Sequence, residues 1–387
     1  MCHRPHPDTN RAWSQLMRRE SIALLSIIMA LVFVGIYSVY SALAVQPYGE
    51  ERILRHYKML GVGLMLMYMG TRVDYHILKN RIVFRAIVCT SIALLILVLI
   101  PGIGVELNGA RRWIELGGFR FQPSEMAKFA LILLLAVKLS TNQEEIGTLN
   151  KGYLPAMIIM IVFAALILLE NDLGTPVVLC VTAFFMFFVA GIRWYYLAPS
   201  LIPAAAAVWV LVKTSEYRAG KITAFLDPWG NASDTGFQLI QSMTAFVKGG
   251  VWGMGAGAGE QKLNYIPESD TDFILTVWAE EMGMVATLLL AGLFTAFFLL
   301  AVRIANRAPD LFGTLLASGI AGLISFQAAF NMAVTIGLLP TKGLPLPFIS
   351  RGGTSLMVFM AMAGVLINIG LQAEPAKRKM VQPVSQT

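Results

Sequence analysis

Stretches of about twenty consecutive apolar residues recur along nearly the whole of this chain, and no other feature limits its fold as severely. That is the length a helix needs to cross a hydrocarbon core about 30 Å thick. No water is available there, so every backbone N–H and C=O must be paired inside the spanning structure, which leaves helices and closed barrels. These stretches are too long and too uniformly apolar for barrel strands, whose residues alternate in polarity. The expected fold is therefore an all-α polytopic membrane protein. Composition agrees: of 387 residues, 57% are hydrophobic and only 14% are charged, whereas a soluble domain is about a quarter charged.

Ten spans are expected, at about 21–45, 57–73, 82–101, 124–140, 154–170, 175–192, 195–213, 280–302, 311–335 and 353–372. An even number returns both termini to one side. Arg18, Arg19, Lys79, Arg81, Lys138, Arg193, Arg303, Arg307 and the Lys377-Arg378-Lys379 run flank the spans on that side, which the positive-inside rule identifies as the cytoplasm. One membrane domain, residues 21–372, is expected between cytoplasmic tails 1–20 and 373–387, with a large outer loop at about 214–270. The first run is too long for the core of a signal peptide and reads as a retained helix.

Several function classes drop out. The net charge of +7 is scattered through short loops, without the dense basic patch of a nucleic-acid binder. Cys2, Cys89 and Cys180 give neither a disulfide framework nor a zinc spacing. The histidines His3, His6, His56 and His76 lie in the amino-terminal tail or short loops and form no metal motif. The outer face, however, is rich in cations: Arg111, Arg112, Arg120, Lys248, Lys262, Lys342 and Arg351, with Lys128 just inside the fourth span. That excess opposes the orientation signal and points to an anionic ligand outside. Five acids crowd residues 265–283, namely Glu268, Asp270, Asp272, Glu280 and Glu281. The segment "GLLPTKGLPLPFISRGGTS" (337–355) has three prolines and four glycines. It cannot be one helix, and broken backbone at membrane depth is tolerated where protein or a wet cavity covers it. Within the long outer loop, "TGFQLIQSMTAFVKGG" has the spacing of a helix lying on the membrane surface.

The blocks "NGARRWIELGGFRFQPSEMAKFALI", "ENDLGTPVV", "FLDPW", "GFQLIQSMTAFVKGGVWGMGAGAGEQKLNYIPESDTDFILTVWAEEMG" and "NMAVTIGLLPTKGLPLPFISRGGTSL" resemble, in this order, those of the SEDS (shape, elongation, division, sporulation) family. The resemblance covers nearly all of residues 21–372. Within the family, "GLLPTKGLPLPFIS" looks more like the division branch, FtsW, than the elongation branch, RodA. It implies a SEDS-type fold and a peptidoglycan glycosyltransferase that polymerises lipid II on the outer face of the inner membrane during division, releasing undecaprenyl pyrophosphate. It further implies a class B penicillin-binding protein transpeptidase as partner, other divisome membrane proteins nearby, a septal location, and a divalent cation (Mg or Mn) as an aid to pyrophosphate. The competing functions are a lipid II flippase, a RodA-like elongation polymerase and a non-catalytic scaffold.

Polymerisation needs a base for the attacking sugar hydroxyl and positive charge for the departing pyrophosphate. By the resemblance, Asp272 matches the aspartate expected to be the base. Read from the residues alone, 270–281 would be a helical extension of an uncharged 21-residue span, Met282–Val302. Glu268 and Asp272 would then share a helix face at i,i+4, and the neighbouring acid would raise the pKa of one of them. The bland alternative is that these acids cap a helix N-terminus. Glu280 and Glu281 are expected to pair with cations in the bundle. Arg120 and Lys128 match cationic positions implied to bind substrate pyrophosphate, although Lys128 is also placed to snorkel and Glu125 to pair with it. Lys342 and Ser350 are expected to line the cavity. The chain departs from the family pattern at Asp270 (often His), Asn264 (often acidic), Asn171 (often Pro) and Arg351 (often Tyr). Asp270 and Arg351 are expected to compensate one another.

Overall fold

The structure, a computed structural model, describes residues 7–46, 48–107, 110–117, 119–141, 143–232, 236–260 and 270–373. In chain order its α-helices are α1 (Pro7–Leu43), α2 (Gly49–Arg72), α3 (Arg81–Leu99), α4 (Pro123–Thr141), α5 (Leu154–Leu169), α6 (Gly174–Val189), α7 (Trp194–Lys213), α8 (Glu216–Leu226), α9 (Phe237–Gly249), α10 (Ile274–Asn306), α11 (Leu311–Thr335) and α12 (Gly353–Gln372). All except α8 and α9 coincide with the ten expected spans, so the fold is the expected all-α membrane bundle. Among the described residues seven helices are long and apolar enough to cross a membrane on their own. The other three bundle helices are α2 and α4, which carry charges, and α6, which has only 16 residues. The charges of α4 survive at membrane depth because protein covers them: Glu125 and Lys128 are both buried.

The connections alternate between two ends of the bundle, as an even number of crossings requires. At one end Tyr75, between α2 and α3, donates its hydroxyl to Asp310, between α10 and α11, at 2.6 Å. Nearby, Gln372 at the end of α12 reaches Asp74, and Arg307 pairs with Glu20 on α1. Helix α11 is the centre of the bundle, buried on almost every turn and packed against α4, α6, α10 and α12. Helix α7 has no buried residue at all.

The opposite end holds three features that position the site. First, residues between α3 and α4 form an antiparallel sheet, β1 (Gly104–Leu107), β2 (Ala110–Leu116) and β3 (Phe119–Phe121), in the order β1-β2-β3. Strands there were not anticipated, although "RRWIELGGFRF" alternates around a glycine turn as a hairpin does. Second, α9 is the helix expected within the long outer loop. It buries Leu239, Ile240, Ser242 and Ala245 and leaves Val247 exposed. Ser242 fastens it to α10 and α11 through the Thr276 hydroxyl at 2.8 Å and the Thr335 carbonyl at 2.6 Å.

Third, α10 differs from the expected continuous extension. Residues 270–273 form a turn, the helix begins at Ile274, and it breaks at Gly283, whose φ of 79° belongs to the left-handed region. The break strands backbone groups that the preceding loop satisfies. Met284 and Val285 donate to the carbonyls of Gly250 and Val251, while Met254 and Gly255 donate to those of Glu280 and Glu281. Glu281 is buried, and its carboxylate receives the hydroxyls of Tyr37 and Ser41 on α1, at 2.7 and 2.6 Å.

Candidate active site

Asp272 lies on the 270–273 turn, not on a helix, so the helix face expected to join it to Glu268 does not exist at this position. Glu268, Asn264 and Lys262 lie outside the described residues. The helix-capping alternative also fails for the two aspartates. The N-cap of α10 is Phe273, no side chain caps it, and its first turn carries no acid.

Polar contacts from α11 and from the broken segment 336–352 hold this turn. The Asn331 side-chain amide donates to the backbone carbonyls of both Asp272 and Leu344, each at 2.7 Å. Ser350 accepts from the Leu346 N–H at 2.7 Å and donates to the Thr271 carbonyl at 2.6 Å. Its hydroxyl is buried and engaged with backbone, which corrects the expectation that Ser350 lines the cavity: it positions the turn instead. Arg351 forms an ion pair with the buried carboxylate of Asp270, and its N–H donates to the Asp270 carbonyl at 2.9 Å. The two departures from the family pattern therefore meet directly. Buried His56 on α2 lies within their electrostatic reach.

Lys128 also needs correction. It is completely buried, paired with Glu125 at 2.8 Å, and donates to the Gln327 side chain at 2.8 Å, with its ammonium 5.0 Å from the centre of the Phe359 ring. Gln327 in turn donates to the Pro345 carbonyl at 2.8 Å. Lys128 thus does not snorkel, and its ammonium is engaged inside the bundle. It anchors the helix that braces the broken segment, and Glu125 is its partner as anticipated.

The cations that do gather near Asp272 come from three separate places. On β2, Arg111 pairs with Glu106 at 3.0 Å, and the next residue, Arg112, stands where the β1–β2 register shifts and has no partner residue on β1. Arg112 donates to the carbonyls of Asn171 (2.6 Å) and Glu170 (3.4 Å), and its guanidinium stands 3.9 Å from the Asp172 carboxylate. Arg218 on α8 reaches the Asn171 side chain at 3.4 Å. Lys342, in the broken segment, feels Lys221 and Arg218 of α8, Arg112 and Asp172. Burial is the main reason, with these cations adding to it, that the Lys342 ammonium is pushed down to about 8. Such a group holds its proton more tightly when an anion arrives.

Arg120 is not among these cations. The register pairs it with Glu115, on the face of the sheet that carries Trp113 and Val105. It stays exposed, and its carbonyl accepts the Thr354 hydroxyl at 3.3 Å. Sequence reasoning chose Arg120 where the fold brings Arg112. Alternation in "ARRW" does not signal this, because the strand pairing shifts register at Arg112.

The turn between α5 and α6 completes the cluster. Asn171 has φ 61°, a conformation that asparagine tolerates and proline cannot adopt. This turns its carbonyl to Arg112 and explains why a residue other than proline fits here. Asp172 accepts from the Gly174 N–H (2.9 Å) and the Thr175 hydroxyl (2.7 Å) at the start of α6. Glu170, just past the end of α5, is buried. Burial first, and then nearby Asp172, raises its carboxyl to about 9, so it is neutral at pH 7 and does not cancel the cations around it. Sequence reading missed Glu170, Arg218, Lys221 and Asn331. Nothing in their own neighbourhoods marks them, because their significance comes from contacts with other segments, such as Glu170 with Arg112, Arg218 with Asn171 and Asn331 with Asp272.

Residues 18–374 match the FtsW/RodA/SpoVE family, described as cell cycle protein. The chain is 41% identical over 367 residues to a "Probable peptidoglycan glycosyltransferase FtsW" of Geobacter sulfurreducens, covering 93% of this chain and 97% of that one. It is 38% identical over 354 residues to the stage V sporulation protein E of Bacillus subtilis, with 90% and 96% covered. Among solved structures it resembles one described as "Structural coordination of polymerization and crosslinking by a peptidoglycan synthase complex", with a TM-score of 0.76, 32% identity, and 90% and 96% covered. It also resembles the rod shape determining protein RodA of Thermus thermophilus, with a TM-score of 0.66, 28% identity, and 91% and 96% covered.

Proposed function

From the premise that this chain belongs to the FtsW/RodA/SpoVE family of cell cycle proteins, we infer a peptidoglycan glycosyltransferase of the FtsW type whose active site is the polar cluster around Asp272. The observation that carries this reading is the convergence of Arg112, Arg218, Lys221 and Lys342 at the end of the bundle that holds Asp272. A glycosyl transfer from a lipid pyrophosphate needs these two kinds of group together.

In the proposed reaction the Asp272 carboxylate takes the proton of the acceptor sugar hydroxyl. The hydroxyl oxygen bonds to the anomeric carbon of the growing strand. The bond from that carbon to the pyrophosphate breaks, and its electron pair leaves with the pyrophosphate. The accumulating charge falls among four cations, Arg112 offering its planar fork and the lysines their point charges. Asn331 and Ser350 hold the base in place through its backbone, so little reorganisation accompanies the transfer.

Among the described residues no three acids, histidines or cysteines converge to hold a metal, and the acids nearest the site stand among cations. This donor set does not fit a protein-built divalent-cation site, and no step is routed through one.

The related peptidoglycan synthase complex couples polymerization to crosslinking, which supports a class B penicillin-binding protein transpeptidase as partner. Division rather than elongation, a septal location and cytoplasmic termini belong to the same proposal. The decisive test is polymerisation of labelled lipid II by the purified chain with its partner. Asp272→Ala is expected to abolish glycan ladders while the protein remains folded. Persistent polymer from that variant would remove Asp272 as the base, and transport of lipid II without polymer would favour a flippase.

A further inference from the structure

Gly343 stands between the base and the cations. It is exposed, and a Cβ built on it would lie 3.1 Å from Asp272 Oδ2 and 3.9 Å from Arg112 Nη1. Asp272 and Arg112 therefore flank the side that a side chain at 343 would occupy. The backbone does not require glycine here. The Leu344 N–H donates to the Lys342 carbonyl at 3.0 Å, making Gly343 the apex of a three-residue turn, and its φ is outside the left-handed region. What glycine contributes is the absence of a side chain.

The position of this gap is set from both sides. Leu344 is buried, and its carbonyl accepts from the same Asn331 amide that holds the Asp272 carbonyl. One side chain of the central helix thus fixes the catalytic turn and the apex turn relative to each other. Lys342, the adjacent residue, faces the cation cluster.

Glycosyl transfer has a strict spatial demand: the base must be near the attacking hydroxyl, the cation near the leaving oxygen, and the reacting carbon between them. We propose that the anomeric carbon of the pyrophosphate-linked sugar reacts in the space over Gly343, and that the missing side chain at this position is a requirement for sugar binding. The hydroxyl proton passes to Asp272 Oδ2, the new C–O bond forms over Gly343, and the departing pyrophosphate oxygen faces Arg112. This rests on the reading of Asp272 as the base.

The test uses the full chain in nanodiscs with labelled lipid II. Asp272→Ala supplies a silent background in which binding is measured without turnover and without a carboxylate to displace. In that background Gly343→Leu is expected to weaken lipid II binding by roughly tenfold or more, the scale on which a pocket rejects extra side-chain bulk. In the otherwise native chain Gly343→Ala is expected to lower kcat/KM at an unchanged thermal midpoint, because the position is exposed. Equal lipid II binding by Asp272→Ala and Asp272→Ala/Gly343→Leu overturns the proposal, because any lost polymerisation would then come from displacing Asp272 alone. Polymer made by Asp272→Ala defeats the assignment of the base instead, so the two failures are distinguishable.

Discussion

Removing Arg351 leaves the Asp270 carboxylate, 5% exposed, without its counter-charge, whereas removing Asp270 leaves a guanidinium that is still 27% exposed. The two losses are therefore unequal. Breaking a buried ion pair by deleting one partner costs about 3–5 kcal/mol, and Arg351→Gln belongs in that range because the stranded acid is the buried one. Asp270→Asn is expected to cost less, about 1–3 kcal/mol, since water still reaches the partly exposed Arg351 guanidinium. The double variant leaves no unpaired charge. It is expected to be at least about 1 kcal/mol more stable than the sum of the singles predicts, within the range of coupling energies for contacting residues. Unfolding in detergent, with the four proteins compared as a cycle, measures this directly. Lipid II polymerisation should follow the same order, because the ion pair secures the turn that carries Asp272. Singles that add within about 0.5 kcal/mol, the behaviour of independent sites, would refute the pairing and with it the explanation of both departures from the family pattern.

Lys342 should make anion binding depend on pH. Inorganic pyrophosphate is expected to bind more weakly as pH rises through about 8, where the free protein loses this ammonium, and Lys342→Arg should abolish that fall in calorimetric titrations. Glu170 keeps its proton up to about 9, against an ordinary value of 4.5. Between those values the folded state holds more protons than the unfolded state, so stability falls as pH rises through this window. At about 1.4 kcal/mol per pH unit, up to roughly 3 kcal/mol is lost by pH 7, and Glu170→Gln should raise the thermal midpoint there and flatten its pH dependence. Lys128→Ala strands buried Glu125 and should cost about 3–5 kcal/mol. The protein that remains folded should bind pyrophosphate as before, and a selective loss of that affinity would restore Lys128 to the substrate site.

The positions of the membrane helices were legible in the sequence because crossing a bilayer is a constraint on contiguous length and polarity. Even the outer-loop helix α9 and the irregular segment after α11 followed from periodicity and from proline and glycine content. Asp272 was singled out by resemblance, since its neighbourhood on its own favours a helix cap. That alternative fell only when the turn at 270–273 and the N-cap at Phe273 were seen. The choice among cations was beyond the sequence. Arg112 and Arg120 are alike in type and region, yet Arg112 sits where the strand register shifts and reaches the α5–α6 turn, whereas Arg120 lies in regular register opposite Glu115 and stays exposed. Lys128 and Ser350 looked like ligand contacts, but α11 and the broken segment close over both.

Hydrophobic length thus determined the bundle and put the polar loops at one end. Tertiary packing decided which of those polar groups face one another. Asn331, Asp272, Gly343 and Arg112 lie on four separate segments, and base meets cation only after α11 has tied the Asp272 and Gly343 turns together and the α5–α6 turn has held Arg112. A one-dimensional pattern can state that an acid and a cation share a face of the membrane, but their separation is set by contacts between residues distant in the chain.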